Sequence, residues 1–347
     1  MDINKYFELA VKKGASDLHL IAGNFPTLRV KGTLQEIDNK ALTSEEIEKA
    51  IFPLMSETDV KKFIKNKGLD FALKINGGLF RVNLHRQEGQ IGLSARVIPD
   101  NIPTPEETNF DESLYRLSHL NQGLVLVTGP SGSGKSTTLA VLINLINRER
   151  KAHILTIEDP IEFIFKEDQS IIEQREIGRD TNSFHQALKQ ALRQDPNVIM
   201  VGEMRDRETV SATLTAAETG HLVLSTLHTN NAAETIERIV DSFPARQQKQ
   251  ILVQLSQVLR AVICQQMVPK KEGGAIVVRE ILINTSGISN LIREGKIAHI
   301  PALMQTGRKE GMITMRSSLK KLYDQGVIDR QTYENRSGAG ETLDTYY

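Results

Sequence analysis

Apolar positions fall at helical spacing over residues 2–13, where Ile3, Tyr6, Phe7, Ala10 and Val11 share one face and Gly14 ends the helix. Short strand-like runs follow at 16–21 and 27–30. Thr43-Ser44-Glu45-Glu46 has the form of a capping box, in which threonine and glutamate satisfy the first free backbone N–H groups, and it predicts a second helix through Leu54. Residues 79–87 and 90–98 read as two strands of a hairpin turning at Gly89. These elements predict a small α+β domain over 1–98. Pro99, Pro103 and Pro105 then interrupt regular structure, so 99–120 reads as a semi-rigid linker.

Past the linker the pattern changes to strands alternating with helices. Four short apolar runs, 124–128, 153–157, 198–201 and 221–226, predict a parallel sheet covered on both faces, an α/β core over 121–270. Such a sheet binds ligands beyond the carboxyl ends of its strands. Beyond the first run stands Gly129-Pro130-Ser131-Gly132-Ser133-Gly134-Lys135-Ser136, followed by Thr137, which fits the phosphate-binding loop G-x-x-x-x-G-K-[ST]. Its glycines let backbone N–H groups turn around phosphates, Lys135 brings a positive charge toward the β/γ-phosphates, and the Ser136 hydroxyl can ligate Mg²⁺. A helix starts at the lysine, with Leu139, Leu142, Ile143 and Ile146 on one face, so its positive end points at the anion. ATP with Mg²⁺ is the expected ligand.

The rest of the chain reads as helical, 271–336. Ile251, Leu252, Leu255, Val258, Leu259, Val262 and Ile263 form one wide stripe, and shorter helices surround Leu291, Leu303 and 319–323. Residues 337–347 have too little apolar content to fold alone and read as a flexible tail.

Composition narrows the classes. Among 347 residues, 43 basic side chains balance 43 acidic ones, so net charge gives no argument for nucleic acid or a lipid surface. No apolar run is long enough to span a membrane, and Asp2 and Glu8 stand where a signal peptide would be basic, which predicts a cytosolic chain. Cys264 is the sole cysteine, so neither an internal disulfide nor a thiolate zinc site is available; within the helical stripe it reads as a small core residue.

Hydrolysis of a γ-phosphate needs charge neutralisation, an oriented metal and a positioned water. Glu203, just after the run 198–201, stands where an acid would hold Mg²⁺ or its water shell. Glu158 and Glu162 both follow the second run, and either can polarise the attacking water; Asp159 reads as a turn former beside Pro160. His221 and His228 bracket the fourth run. His228 suits a γ-phosphate sensor, while His221 reads equally as a ligand contact or as packing. His119, His153 and His299 read as surface or packing residues. No arginine follows the loop directly, so the transition-state cation must come from elsewhere. Arg81 and Arg96 lie on the two hairpin strands, where alternation can present both on one face, and Arg193 and Arg205 are further candidates.

Taken together, the loop 129–136, Thr156-Ile-Glu-Asp-Pro-Ile-Glu-Phe163, Gly202-Glu-Met-Arg-Asp206 and Thr219-Gly-His-Leu-Val-Leu-Ser-Thr-Leu-His228 resemble the secretion ATPases of type II secretion and type IV pili, nearest to the PilT-type pilus retraction ATPases. The likeness begins at the opening helix and Gly14-Ala-Ser-Asp-Leu-His19 and runs beyond Leu303. It implies a PAS-like N-terminal domain on a RecA-like ATPase core, assembled as a homohexamer with ATP at subunit boundaries. By resemblance Glu162 activates water, Glu203 is the Walker B acid, His221 and His228 form the His box, and Arg81 and Arg96 approach nucleotide. The single cysteine and the lack of an additional N-terminal domain favour retraction over assembly. The resemblance further implies a cytoplasmic motor at the pilus base that acts on an inner-membrane platform protein, with membrane contact only through partners and no nucleic acid. Gly287-Ile-Ser-Asn-Leu-Ile-Arg-Glu294 resembles an element linked to retraction but departs from it at Gly287 and Ser289, so an accessory PilU-like paralogue is an alternative. An assembly or type II secretion ATPase, or a nucleic-acid translocase on the same core, are further alternatives.

Overall fold

The computed structural model describes residues 2–30, 32–98 and 101–337. Two compact units divide after residue 101, with 160–164 grouping with the first unit. The first unit opens with helix α1 (Ile3–Lys12), strands β1 (Asp17–Ile21), β2 (Thr27–Val30) and β3 (Thr33–Glu36), and helices α2 (Ser44–Ile51) and α3 (Glu57–Asn66). Strands β4 (Gly68–Ile75), β5 (Gly78–Gln87) and β6 (Gln90–Ile98) complete an antiparallel six-stranded sheet in the order β3-β2-β1-β6-β5-β4. The capping box forms: Thr43 accepts from Glu46 N and the Glu46 carboxylate accepts from Thr43 N. Glu88 and Gly89 both take positive φ in the β5–β6 turn, the geometry that matches strand twist in a two-residue hairpin. One sheet face buries Leu18, Leu20, Phe80, Val82, Leu84, Leu93 and Ala95 against α1 and α2, with Phe7 edge-on to Phe80 at 4.6 Å between ring centroids.

The second unit begins within the stretch read as a linker. There α4 (Glu112–Ser118) forms, capped by Asp111, and Thr104 and Glu107 exchange side-chain to backbone hydrogen bonds. Pro99 and the tail from 338 onward lie outside the described residues. Strand β7 (Gly123–Thr128), helix α5 (Lys135–Glu149), strands β8 (His153–Glu158) and β9 (Ile171–Glu176), helix α6 (Phe184–Ala191), strand β10 (Val198–Val201), helix α7 (Arg207–Glu218) and strand β11 (Leu222–Leu227) build the core. Helices α8 (Ala232–Asp241) and α9 (Ala245–Val258), strands β12 (Leu259–Pro269) and β13 (Ala275–Ile283), and helices α10 (Ser286–Arg293), α11 (Ile300–Thr306), α12 (Met315–Asp324) and α13 (Arg330–Ser337) follow. The sheet order is β13-β12-β7-β11-β10-β8-β9, parallel from β12 to β9, with β13 antiparallel at one edge. This is the RecA-like core that the resemblance implies. None of the helices among the described residues is long and apolar enough to cross a membrane.

Two expectations are corrected. The stripe from Ile251 to Ile263 is not one helix: α9 ends at Val258, and Leu259, Val262, Ile263 and Cys264 belong to a strand buried between β7 and β13. An all-apolar run satisfies helix and buried-strand patterns equally, and pairing with β7 decides. Cys264 is fully buried, as expected, but on that strand. The region 271–336 likewise holds β13 besides its helices.

Candidate functional site

The site is built on β7, whose six residues are all buried. Its chain leaves the sheet at Gly129, with φ +140°; an added Cβ there would stand 2.2 Å from the Gln265 carbonyl oxygen on β12. Gly132 and Gly134 also take positive φ, and the loop runs directly into α5 at Lys135. Gln265 holds the turn from beneath by donating Nε2 to the Ser133 carbonyl at 3.0 Å. Lys135 Nζ donates to the carbonyls of Gly129 (2.8 Å) and Pro130 (3.1 Å), bracing the loop from inside. Ser136 and Thr137 occupy the first turn of α5, with backbone N–H groups that have no helical acceptor.

Glu203 follows β10 at the same sheet edge. The backbone around it is pinned on both sides: Gly202 N donates to the Ile157 carbonyl at 2.8 Å, Thr226 Oγ1 to the Gly202 carbonyl at 2.6 Å, and Met204 N to the Thr226 carbonyl at 3.2 Å. The Glu203 side chain, 15% exposed, forms an ion pair with Arg205 and lies 3.3 Å from His228 Nε2. Burial, with the positive charges of Lys135 and Arg205, holds the His228 imidazole below its usual pKa. Neutral His228 therefore donates Nε2–H to the Glu203 carboxylate at neutral pH. That Lys135 acts on His228 puts the loop, the acid and the histidine in one electrostatic field. Glu158, at the end of β8, is buried and accepts from Thr156 Oγ1 (2.7 Å) and Gln174 Nε2 (3.2 Å), so it is held firmly within the sheet. Asp159 is exposed in the turn after it.

Not every expected residue comes to this edge. His221 precedes β11, and its carbonyl accepts from Gly123 N at the start of β7. A parallel strand of this length separates its ends by roughly 20 Å, so His221 sits at the opposite edge from the loop and its reading as a ligand contact within the chain is withdrawn. Its Nδ1 lies instead 2.9 Å from the Ala216 carbonyl at the end of α7. Arg193, which precedes β10, is at that far edge for the same reason. Glu162 is exposed and lies in the segment 160–164 that groups with the first unit. In that unit, Arg81 and Arg96 stand directly opposite one another on β5 and β6.

One residue was missed. Arg279 on β13 is 7% exposed, donates to the carbonyls of Asn109 and Thr108 at 2.9 Å each, and lies 5.4 Å from the centroid of the Phe110 ring. Its Nη2 comes within 3.4 Å of Thr138 Oγ1 on α5, and its Nε has no partner among the described residues. With Thr137, Thr138, Asn109 and Val277 it lines a cavity of about 890 Å³ beside the start of α5. The only signal in the sequence is an Arg279-Glu280 pair interrupting an apolar run.

A magnesium ion keeps several waters and takes one or two protein oxygens beside substrate phosphates. The Ser136 hydroxyl at the head of α5 and the Glu203 carboxylate are donors of that kind at one sheet edge.

Residues 1–280 match the model of the family described as Type II/IV secretion system protein. The chain is 44% identical over 344 residues to the type IV pilus retraction ATPase PilT of Pseudomonas aeruginosa, covering 99% of this chain and 100% of that one. It is 42% identical over 337 residues to the type IV pilus ATPase PilU of the same organism, covering 96% and 87%. A solved structure of the pilus retraction motor PilT with bound ADP superimposes with a TM-score of 0.93 at 44% identity, covering both chains in full.

Proposed function

The chain belongs to the type II/IV secretion system protein family, and from that premise we propose that it is an ATPase that powers type IV pilus retraction as a homohexamer. The observation that carries this reading is a complete phosphate loop with its acid and histidine at one sheet edge, in a chain that aligns end to end with a retraction ATPase. Backbone N–H groups of 131–136 receive the phosphates, and Lys135 exchanges the carbonyls of its own loop for phosphate oxygens. The nucleoside has room in the cavity beside Thr137 and Thr138. Ser136 and Glu203 would hold Mg²⁺, which would neutralise phosphate charge. Arg205 and His228 fix the Glu203 carboxylate. Glu162 polarises the attacking water, Glu158 orders the end of β8, and Arg81 and Arg96 supply positive charge to nucleotide held by a neighbouring subunit.

The motor works at the cytoplasmic face of the pilus base on an inner-membrane platform protein, reaches the membrane only through partners, binds no nucleic acid, and can share its task with a paralogous retraction ATPase. A second reading, an accessory PilU-like role, draws support from Gly287 and Ser289 in and beside the first turn of α10 and from the 42% identity to PilU.

Lys135→Ala should abolish ATP turnover, and Glu162→Gln should keep ATP binding while slowing hydrolysis; parental turnover in Lys135→Ala would remove the site assignment. In a deletion strain, piliated but immobile cells support retraction. Bald cells refute it in favour of assembly, and normal twitching points to the accessory role.

A further inference from the structure

The solvent face of the six-stranded sheet carries a charged row across four strands. Register sets Arg29, Asp17, Arg96 and Arg81 side by side on β2, β1, β6 and β5. The residues alternating with them, Leu28, Leu18, Ala95 and Val82, are buried, so all four polar side chains leave the sheet on the same side. Like charges directly opposite in a sheet repel, and Arg96 and Arg81 are such a pair. Three guanidinium groups in one row therefore call for anions.

Asp17 is one anion. Its Oδ1 accepts from Arg96 Nε at 3.0 Å, and its Oδ2 lies 3.9 Å from Arg29 Nε and accepts from Ser16 Oγ at 2.9 Å. Burial pushes the Asp17 carboxyl up, but hydrogen bonds from Ser16 and Arg96 outweigh it and hold the group below its usual pKa, so it is charged at neutral pH. The aspartate side chain is 15% exposed and the arginine 70%: the acid is rooted in the sheet and the guanidinium reaches outward. An ion pair this exposed adds little to the stability of a fold. Its larger effect is on direction. A guanidinium is a planar fork, and a carboxylate on its Nε–H fixes the plane while the two Nη groups stay outward, the edge that grips an oxyanion bidentately.

We propose that Asp17 is a positioning residue that holds Arg96 by Nε so that its Nη edge, with Arg81 beside it, meets the phosphates of a nucleotide in the neighbouring subunit. The inference rests on the reading that these arginines serve that nucleotide, and it assigns Asp17 to a different task from its neighbours in the row.

The test is steady-state ATP hydrolysis by the full-length assembled protein carrying Arg96→Ala, Asp17→Asn, Asp17→Glu, or Arg96→Ala with Asp17→Asn. Asp17→Asn should lower kcat about tenfold through loss of orientation and leave KM for ATP within about twofold. Asp17→Glu should recover part of the loss, and Asp17→Asn should change nothing further when Arg96 is already alanine. Parental kcat in Arg96→Ala removes both the arginine reading and the positioning role. A slow Arg96→Ala beside a parental Asp17→Asn leaves the arginine reading intact and overturns the positioning role. Losses that add in the double variant also overturn it, because Asp17 would then act on the fold rather than through Arg96.

Discussion

Replacing Gly129 by alanine tests how rigidly the phosphate loop is seated on the sheet. The added Cβ meets two obstacles. At φ +140° a side chain is strained whatever the space around it, at a cost of about 1–2 kcal/mol. It would also stand 2.2 Å from the Gln265 carbonyl oxygen, where real Cβ atoms keep at least 3.0 Å, so something must retreat by about 0.8 Å. That carbonyl belongs to a strand laddered to β7 on one side and β13 on the other, and it cannot withdraw alone. Overpacking of this kind costs about 1–3 kcal/mol, for a total of about 2–5 kcal/mol against a typical stability of about 5–15 kcal/mol. Gly132→Ala is the control: φ is +78° but the space is open, so only the conformational strain remains. Urea titration of both variants, followed by circular dichroism, should place the midpoint of Gly129→Ala below that of Gly132→Ala by the overpacking contribution. Equal midpoints would refute the claim that β12 fixes the loop.

Three further outcomes follow from the geometry. His228 has a folded pKa below its reference of 6.5, so the stability it contributes is present above pH 6.5 and is lost as pH falls through the window beneath it; Arg205→Ala should raise its NMR titration midpoint, and an unmoved midpoint would contradict the shared electrostatic field. Arg279→Ala strands the carbonyls of Thr108 and Asn109 and should destabilise the second unit by about 2–4 kcal/mol in chemical denaturation. Arg279→Lys should recover less than half of that, because one ammonium does not reproduce a planar fork; full recovery would show that charge alone matters. Phe80→Ala, at a fully buried position against Phe7, should cost about 3–5 kcal/mol in the unfolding of the first unit, and a loss under 1 kcal/mol would deny that this pair centres its core.

What the sequence disclosed depended on how local each signal was. The phosphate loop was legible because glycines, lysine and serine are contiguous, and the strand before and helix after it carry unambiguous periods. Glu203 and His228 were legible because both follow the carboxyl ends of parallel strands. His221 misled for the same geometric reason: bracketing a strand puts one histidine at each end, and only one end faces the loop. Strand β12 was hidden because Leu259, Val262 and Ile263 extend the stripe of α9 without a breaker. Strand β9 was hidden because an edge strand reading Ile-Ile-Glu-Gln-Arg-Glu alternates too weakly to stand out. Arg279 could not be placed at all, since its acceptors lie 170 and 171 residues away in the chain.

The two carbonyls that Lys135 grips within its own loop bear on the rhythm of a machine that empties its site every cycle. A cation stranded by departing product would strain its cradle and slow the next capture. On the proposed reading the ammonium would swap one set of oxygens for another, so the nest would stand ready between strokes and each arriving triphosphate would have to outcompete the chain's own backbone. Part of the gross attraction for nucleotide would thereby be cancelled, which would favour quick release over tight storage.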